Sequence, residues 1–176
     1  MKTKKIAFMS VLLGLALVIF TVEAQIPPIV PISGVKLGLA NVINLMTLYM
    51  LGRKESFTIL VLRIVLSSIF AGNITGFMYS LSGGLVSFMI ISVISIFLKE
   101  NRMWAVSIFG AIGHNIGQIM MALLLLKTPQ LIWYLPVLII SAVITGFFTG
   151  TVAQITLKQL RKMNYVKPTP AEENYA

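Results

Sequence analysis

The chain has 176 residues, 57% hydrophobic and 11% charged, with no cysteine and a formal charge of +9. Soluble domains carry about 25% charged residues, so this composition disfavours a water-soluble enzyme, a disordered tail and a disulfide-stapled secreted domain. It fits one unit of several membrane-spanning helices, each needing about 20 apolar residues.

Apolar stretches at 6–22, 37–51, 56–72, 80–98, 103–126 and 131–157 predict six helices. The first follows Lys2, Lys4 and Lys5. Ser10 and Gly14, with Ala7 nearby, give it a small-x-x-x-small face, either a packing seam inside the bundle or a docking face for a separate membrane subunit. Val22-Glu23-Ala24 before Gln25 also fits a signal-peptide cleavage site. The 17-residue apolar run exceeds the usual signal core of about 7–15 and favours a retained helix.

The 23–36 connection carries Pro27, Pro28 and Pro31 and reads as an extended, stiff loop. Lys36 falls near the amino end of the second helix, where free N–H groups and the helix dipole favour an anion. Asn41 and Asn44 share a helical face beyond it. Together they suit an anion or polar ligand, or else a snorkelling lysine and asparagines that bond neighbouring helices.

Arg63 lies inside the third span, about 10 Å from its basic end at 1.5 Å per residue. It either snorkels to the interface or needs a partner: a helix dipole, a carbonyl cluster, another protein or an anionic ligand. In the fourth span Ser80, Ser82, Gly83 and Gly84 read as a packing seam, as do Ala142, Gly146 and Gly150 in the sixth. The fifth span holds Gly113-His114-Asn115-Ile116-Gly117-Gln118. Its G-x-x-x-G admits a close neighbour, while His114 and Gln118 share a face that suits a ligand wall or a proton relay. An interhelical hydrogen-bond pair is the structural alternative. The fifth and sixth stretches are longer than one span needs, so tilt or an interfacial turn is expected. Residues 163–176 lose the apolar pattern and read as a flexible cytoplasmic tail after a six-helix domain spanning 1–162.

Eleven of the 14 basic residues flank the same ends of the predicted spans: before the first, after the second, after the fourth and after the sixth. Lys36 and Lys127 fall on the opposite side. Cytoplasmic loops collect Lys and Arg, so both termini are expected in the cytoplasm. The charge then reports topology, not a nucleic-acid partner.

No aspartate occurs, and the acids are Glu23, Glu55, Glu100, Glu172 and Glu173. Carboxylate clusters for magnesium are missing, no G-x-x-x-x-G-K-[ST] loop occurs, and one His without Cys disfavours a zinc site. No catalytic constellation, metal site or cofactor is expected, so the chain reads as a non-enzyme.

Ile26-Pro27-Pro28, the run Gly34-Val35-Lys36-Leu37-Gly38-Leu39-Ala40-Asn41, Ser80-Leu81-Ser82-Gly83-Gly84 and His114-Asn115-Ile116-Gly117-Gln118 resemble the Gx transporter family, also labelled heptaprenyl diphosphate synthase component I. The resemblance covers about residues 5–160. That family is similar in size and layout to the substrate-binding S components of energy-coupling-factor transporters, six-helix proteins that work with a membrane coupling subunit and two ATPases. The resemblance implies that loop 25–36 gates a pocket lined or bordered by Lys36, Asn41, His114 and Gln118, and that Ser10 and Gly14 dock on the coupling subunit. The first span lacks the strict Ala-x-x-x-Ala of such docking helices.

The expected protein is therefore an all-α, multi-pass cell-membrane protein, a bundle of six transmembrane helices in the lipid bilayer. Its expected function is to bind a small anionic or polar-headed solute as the S-component-like subunit of an ATP-driven transporter. Lys36, Asn41, Asn44, Arg63, His114, Asn115 and Gln118 are its candidate ligand-binding residues. The alternative is a non-catalytic membrane accessory of a polyprenyl (heptaprenyl) diphosphate synthase, partnered with the catalytic subunit; its own lack of Asp-rich magnesium motifs fits that secondary role. A stand-alone proton-coupled carrier using His114 and Arg63 is a third reading.

Overall fold

The computed structural model describes residues 2–26 and 39–163. Six α-helices account for almost all of them: α1 (Lys2–Glu23), α2 (Asn41–Met50), α3 (Arg53–Ala71), α4 (Ile74–Phe97), α5 (Met103–Leu126) and α6 (Leu135–Lys162). Short 3-10 turns, Glu100–Arg102 and Pro129–Tyr134, lead into α5 and α6. The gating loop and Lys36 fall on residues 27–38, outside the described residues, as does the tail beyond Met163.

Four helical segments are long and apolar enough to cross a membrane: Thr3–Glu23, Ile74–Phe97, Glu100–Leu126 and Pro129–Lys162. At 1.5 Å per residue the 10 residues of α2 reach about half of a hydrocarbon core of roughly 30 Å. The helical part of the 37–51 stretch is thus a half-span. α3 has 19 residues, enough by length, but Arg53, Lys54, Glu55 and Arg63 dilute its apolar character.

Local chemistry sets the helix ends. Gly72 turns left-handed (φ 59°) and returns its N–H to the Ser68 carbonyl, closing α3. The extended Asn73 then accepts the Gly76 N–H through its side chain, at 3.0 Å, and starts α4. Residues 74–79, expected in the connector, are therefore helical, because this stop-and-start pair fits into two residues. Of the tilt or turn expected for the long fifth and sixth stretches, a turn is present between them: Pro129–Tyr134 forms it, with Trp133 exposed.

Helices α4, α5 and α6 pack most tightly. They run antiparallel in sequence, and glycine lets their backbones meet. A Cβ on Gly117 would sit 2.7 Å from the Ser82 carbonyl and 2.8 Å from Gly83 Cα. On Gly150 it would sit 2.6 Å from Trp104 Cα, and on Gly146 2.7 Å from Ile108 Cα. Of the small residues read as packing seams, Gly83, Gly84, Gly146 and Gly150 are seams, with Ala142 buried among them. Trp104 and Phe147 stack edge-on across α5 and α6, ring centres 6.0 Å apart.

The other half is looser. α1 lies on α2 and α3 through Leu12 and Ala16, which join Ile43 and Ile59 in a small core. Ala7, Ser10 and Gly14 all point outward, and nothing lies within 4 Å of the Cβ position of Gly14. The small face of α1 is therefore not a seam inside the bundle, which corrects that reading: α1 turns its larger aliphatic Leu12 inward instead.

The four basic clusters gather at one end. Lys5 pairs with Glu55, joining the starts of α1 and α3, and Arg161 pairs with Glu100 at 2.7 Å, joining α6 to the α4–α5 connection. The Tyr49 hydroxyl donates to the Leu98 carbonyl at the same end, at 2.8 Å. Around the bundle the large apolar side chains, among them Ile69, Phe70, Val93 and Phe148, face outward, an inside-out pattern that only an apolar surrounding tolerates over so wide a surface.

Candidate functional site

Where α1, α3, α4 and α5 meet, the interior turns polar. Glu23, Arg63, Ser67, Ser80, His114 and Gln118 line one cleft with Phe20 and Ile64. Glu23 is the last residue of α1, Arg63 sits halfway along α3, and His114 and Gln118 lie one turn apart on α5. Glu23 is 4% exposed and Arg63 5%, so both charges lie well inside the bundle. The open space at the centre holds about one water molecule.

Arg63 does not snorkel. Its Nη2 donates to Asn41 Oδ1 at 3.1 Å, and Glu23 lies close enough to act on it electrostatically. An isolated charge in apolar surroundings is very costly, whereas one facing an opposite charge and an amide oxygen is tolerable. Glu23 is thus a carboxylate partner from the chain itself, one not among the partners expected for Arg63 from the sequence. In the sequence it stands among the small residues of a possible cleavage site, and only the helical phase of α1 turns it inward.

Packing fixes the α5 side of the site. His114 and Gln118 press against Gly83, whose added Cβ would sit 2.8 Å from the His114 carbonyl and 2.9 Å from Gln118 Cγ. The Gly83 backbone hydrogen-bonds the imidazole, and the Ser82 hydroxyl donates to the Gly117 carbonyl at 2.7 Å. The glycine seam therefore also sets where these two polar side chains stand.

The other expected site residues separate. Asn41 joins the site through Arg63. Asn44 sits behind it: its Nδ2 is 3.5 Å from Asn41 Oδ1, its carbonyl accepts the Ser56 hydroxyl at 2.8 Å, and it lines no part of this cleft. Asn115 points away from the cleft and donates to the Leu138 carbonyl on α6 at 2.8 Å. Its role here is to tie two helices, as its place one residue from His114, about 100° around the helix, allows. Lys36 lies outside the described residues. Glu23, Ser67 and Ser80 are lining residues that sequence reasoning did not place there. For Ser80 the signal was present but read as packing only.

Two further clefts adjoin. One opens beside the α3–α4 turn and shares Phe20, Ile64, Ser67 and Ser80 with the central one. The other lies among α2, α4, α5 and α6, where Asn41, Ser87, Thr145 and the bonded pair Ser107–Thr149 (3.0 Å) face it. Among the described residues no group of three metal-binding side chains occurs. The arrangement can hold a small polar or charged group by hydrogen bonds and one cation.

The family model of heptaprenyl diphosphate synthase component I matches residues 12–156. That range includes every residue of the polar cleft and at least part of every helix, and the chain belongs to this family. No curated protein and no solved structure matches it.

Proposed function

With membership of the heptaprenyl diphosphate synthase component I family as the premise, we propose that this chain is a multi-pass, non-catalytic membrane subunit working beside the catalytic subunit of a prenyl diphosphate synthase. The family match through the bundle carries this reading. The chemistry supports it by division of labour. A chain without aspartate offers no magnesium-diphosphate motif, so another subunit performs the condensation. A long isoprenoid diphosphate is an oil-soluble tail on a charged head, and a bilayer-embedded partner receives such a product where its tail is soluble. In this reading all six helices lie in the cell membrane, α2 as a half-span, and the basic end with both termini is cytoplasmic.

The test is co-purification in mild detergent with the soluble synthase subunit, followed by prenyl transfer measured with and without proteoliposomes containing this chain. The reading predicts a complex and a longer or faster-released product. Separate elution with unchanged product length overturns it.

One observation favours a second reading. A buried carboxylate, guanidinium, imidazole and amide around one cleft resemble a solute-binding site more than a docking surface, since intramembrane ionisable groups mark ligand and ion pathways. On this reading the chain captures a polar-headed solute for a transporter driven by a coupling subunit and ATPases, with the outward Ser10–Gly14 face of α1 as the docking surface. Capture of those subunits in place of a synthase, lost on Gly14→Leu, supports it.

A further inference from the structure

We propose that the three clefts form one water-accessible path, which runs from the α3–α4 turn past Arg63 to the Ser107–Thr149 pair and opens to one side of the membrane. This inference is independent of which partner the chain serves.

Three observations carry it. First, the mouth cleft and the central cleft have four lining residues in common, Phe20, Ile64, Ser67 and Ser80, so they are contiguous. Second, Asn41 bridges onward, since its Oδ1 accepts from Arg63 in the central cleft while Asn41 itself lines the inner one. Third, a polar atom on this line lacks a protein partner among the described residues: Arg63 Nε is buried in the central cleft with no hydrogen bond. Buried polar groups are almost always satisfied, by ordered water where protein is absent, and the mouth cleft has room for about two waters. Serine and threonine along the line supply hydroxyls that can hand water from one position to the next.

The path inverts the usual link between exposure and hydration. Residues most exposed on the bundle face lipid, whereas nearly buried residues meet water. Because the natural chain has no cysteine, Ser→Cys substitutions give single thiols. Ser68→Cys and Ser67→Cys on α3 and Ser80→Cys on α4 lie on the path, and Ile69→Cys and Phe70→Cys on α3 point outward. A membrane-impermeant methanethiosulfonate reacts with the hydrated thiolate, which apolar surroundings suppress. In right-side-out and inverted vesicles, the three path positions should label at least about tenfold faster than Ile69→Cys and Phe70→Cys, from the side bearing the α3–α4 turn only. Ser107→Cys, beyond the narrow central cleft, should react from that same side with the silver ion, which is close to water in size, and a second substitution, Ser67→Trp, should block it. Path positions reacting no faster than the two lipid-facing ones overturn the proposal. Labelling that reaches Ser80→Cys but never Ser107→Cys overturns its continuation past Asn41. If Ser67→Cys fails to accumulate, the half-buried Ser80→Cys tests the entrance by the same comparison of rates.

Discussion

The two halves of this bundle are held together by different means. In α4–α5–α6, glycines bring backbone to backbone, so contact area and hydrogen bonds such as Ser82 to Gly117 fix the helices with little freedom. α1 and α3 instead meet α2 through a small aliphatic core, with Glu23 and Arg63 facing one cleft, and the half-length α2 buries Leu45, Met46, Leu48 and Met50 against α5 and α6. The polar cleft lies on the boundary: His114 and Gln118 come from the rigid half, Glu23 and Arg63 from the looser one. A site shared in this way keeps one wall fixed while the other can shift, which suits binding and release in a cleft with room for little more than water.

Four measurements probe that contrast. The largest effect is expected for Arg63→Met, which leaves Glu23 buried beside a lost cation. Breaking such a pair costs about 3–5 kcal/mol, and the thermal midpoint in detergent should recover in large part when Glu23→Gln is added. No recovery would show that the two charges are not coupled. Next, Gly117→Ala forces a Cβ into backbone at 2.7–2.8 Å and should cost about 1–3 kcal/mol, while Gly14→Ala, with open space inside a helix, should leave the midpoint unchanged or slightly raise it. Equal effects would erase the difference between the halves.

Asn115→Ala removes the α5–α6 tie to Leu138 and should cost about 1 kcal/mol, the usual size for a hydrogen bond between membrane helices, without altering solute or partner binding. A binding defect with an intact midpoint would return Asn115 to the site. The smallest effect belongs to the basic end. The hydrogen bond from Lys5 holds the Glu55 carboxyl below its ordinary range. A depressed folded-state value means that Glu55 stabilises the fold above the ordinary carboxylate range and loses this contribution as pH falls through the depressed value. Glu55→Gln should therefore cost less than about 1 kcal/mol at neutral pH, and its midpoint should converge with the parent's in acid.

Much of the scaffold was legible because it depends on local or one-dimensional properties. Apolar runs long enough for a membrane, the glycine spacing of 113 and 117, and the clustering of Lys and Arg all lie along the chain. The α4 start was misplaced because Asn73 caps a helix whose first turn contains Thr75 and Gly76, residues that read as connector. The candidate site was legible only in part. His114, Gln118, Arg63 and Asn41 stood out by polarity in apolar runs, whereas Glu23 hid at a helix end.

Composition and the length of the apolar runs are enough to specify a helical, lipid-facing chain with most of its basic residues at one end of the bundle, because solvent preference and helix length are properties of the linear polymer. That Glu23 turns in toward Arg63, that Asn115 turns away to Leu138, and that α1 shows Ser10 and Gly14 outward emerge only once the helices are assembled. Helical periodicity says which residues share a face, but which faces meet is fixed by close packing across helices far apart in the chain.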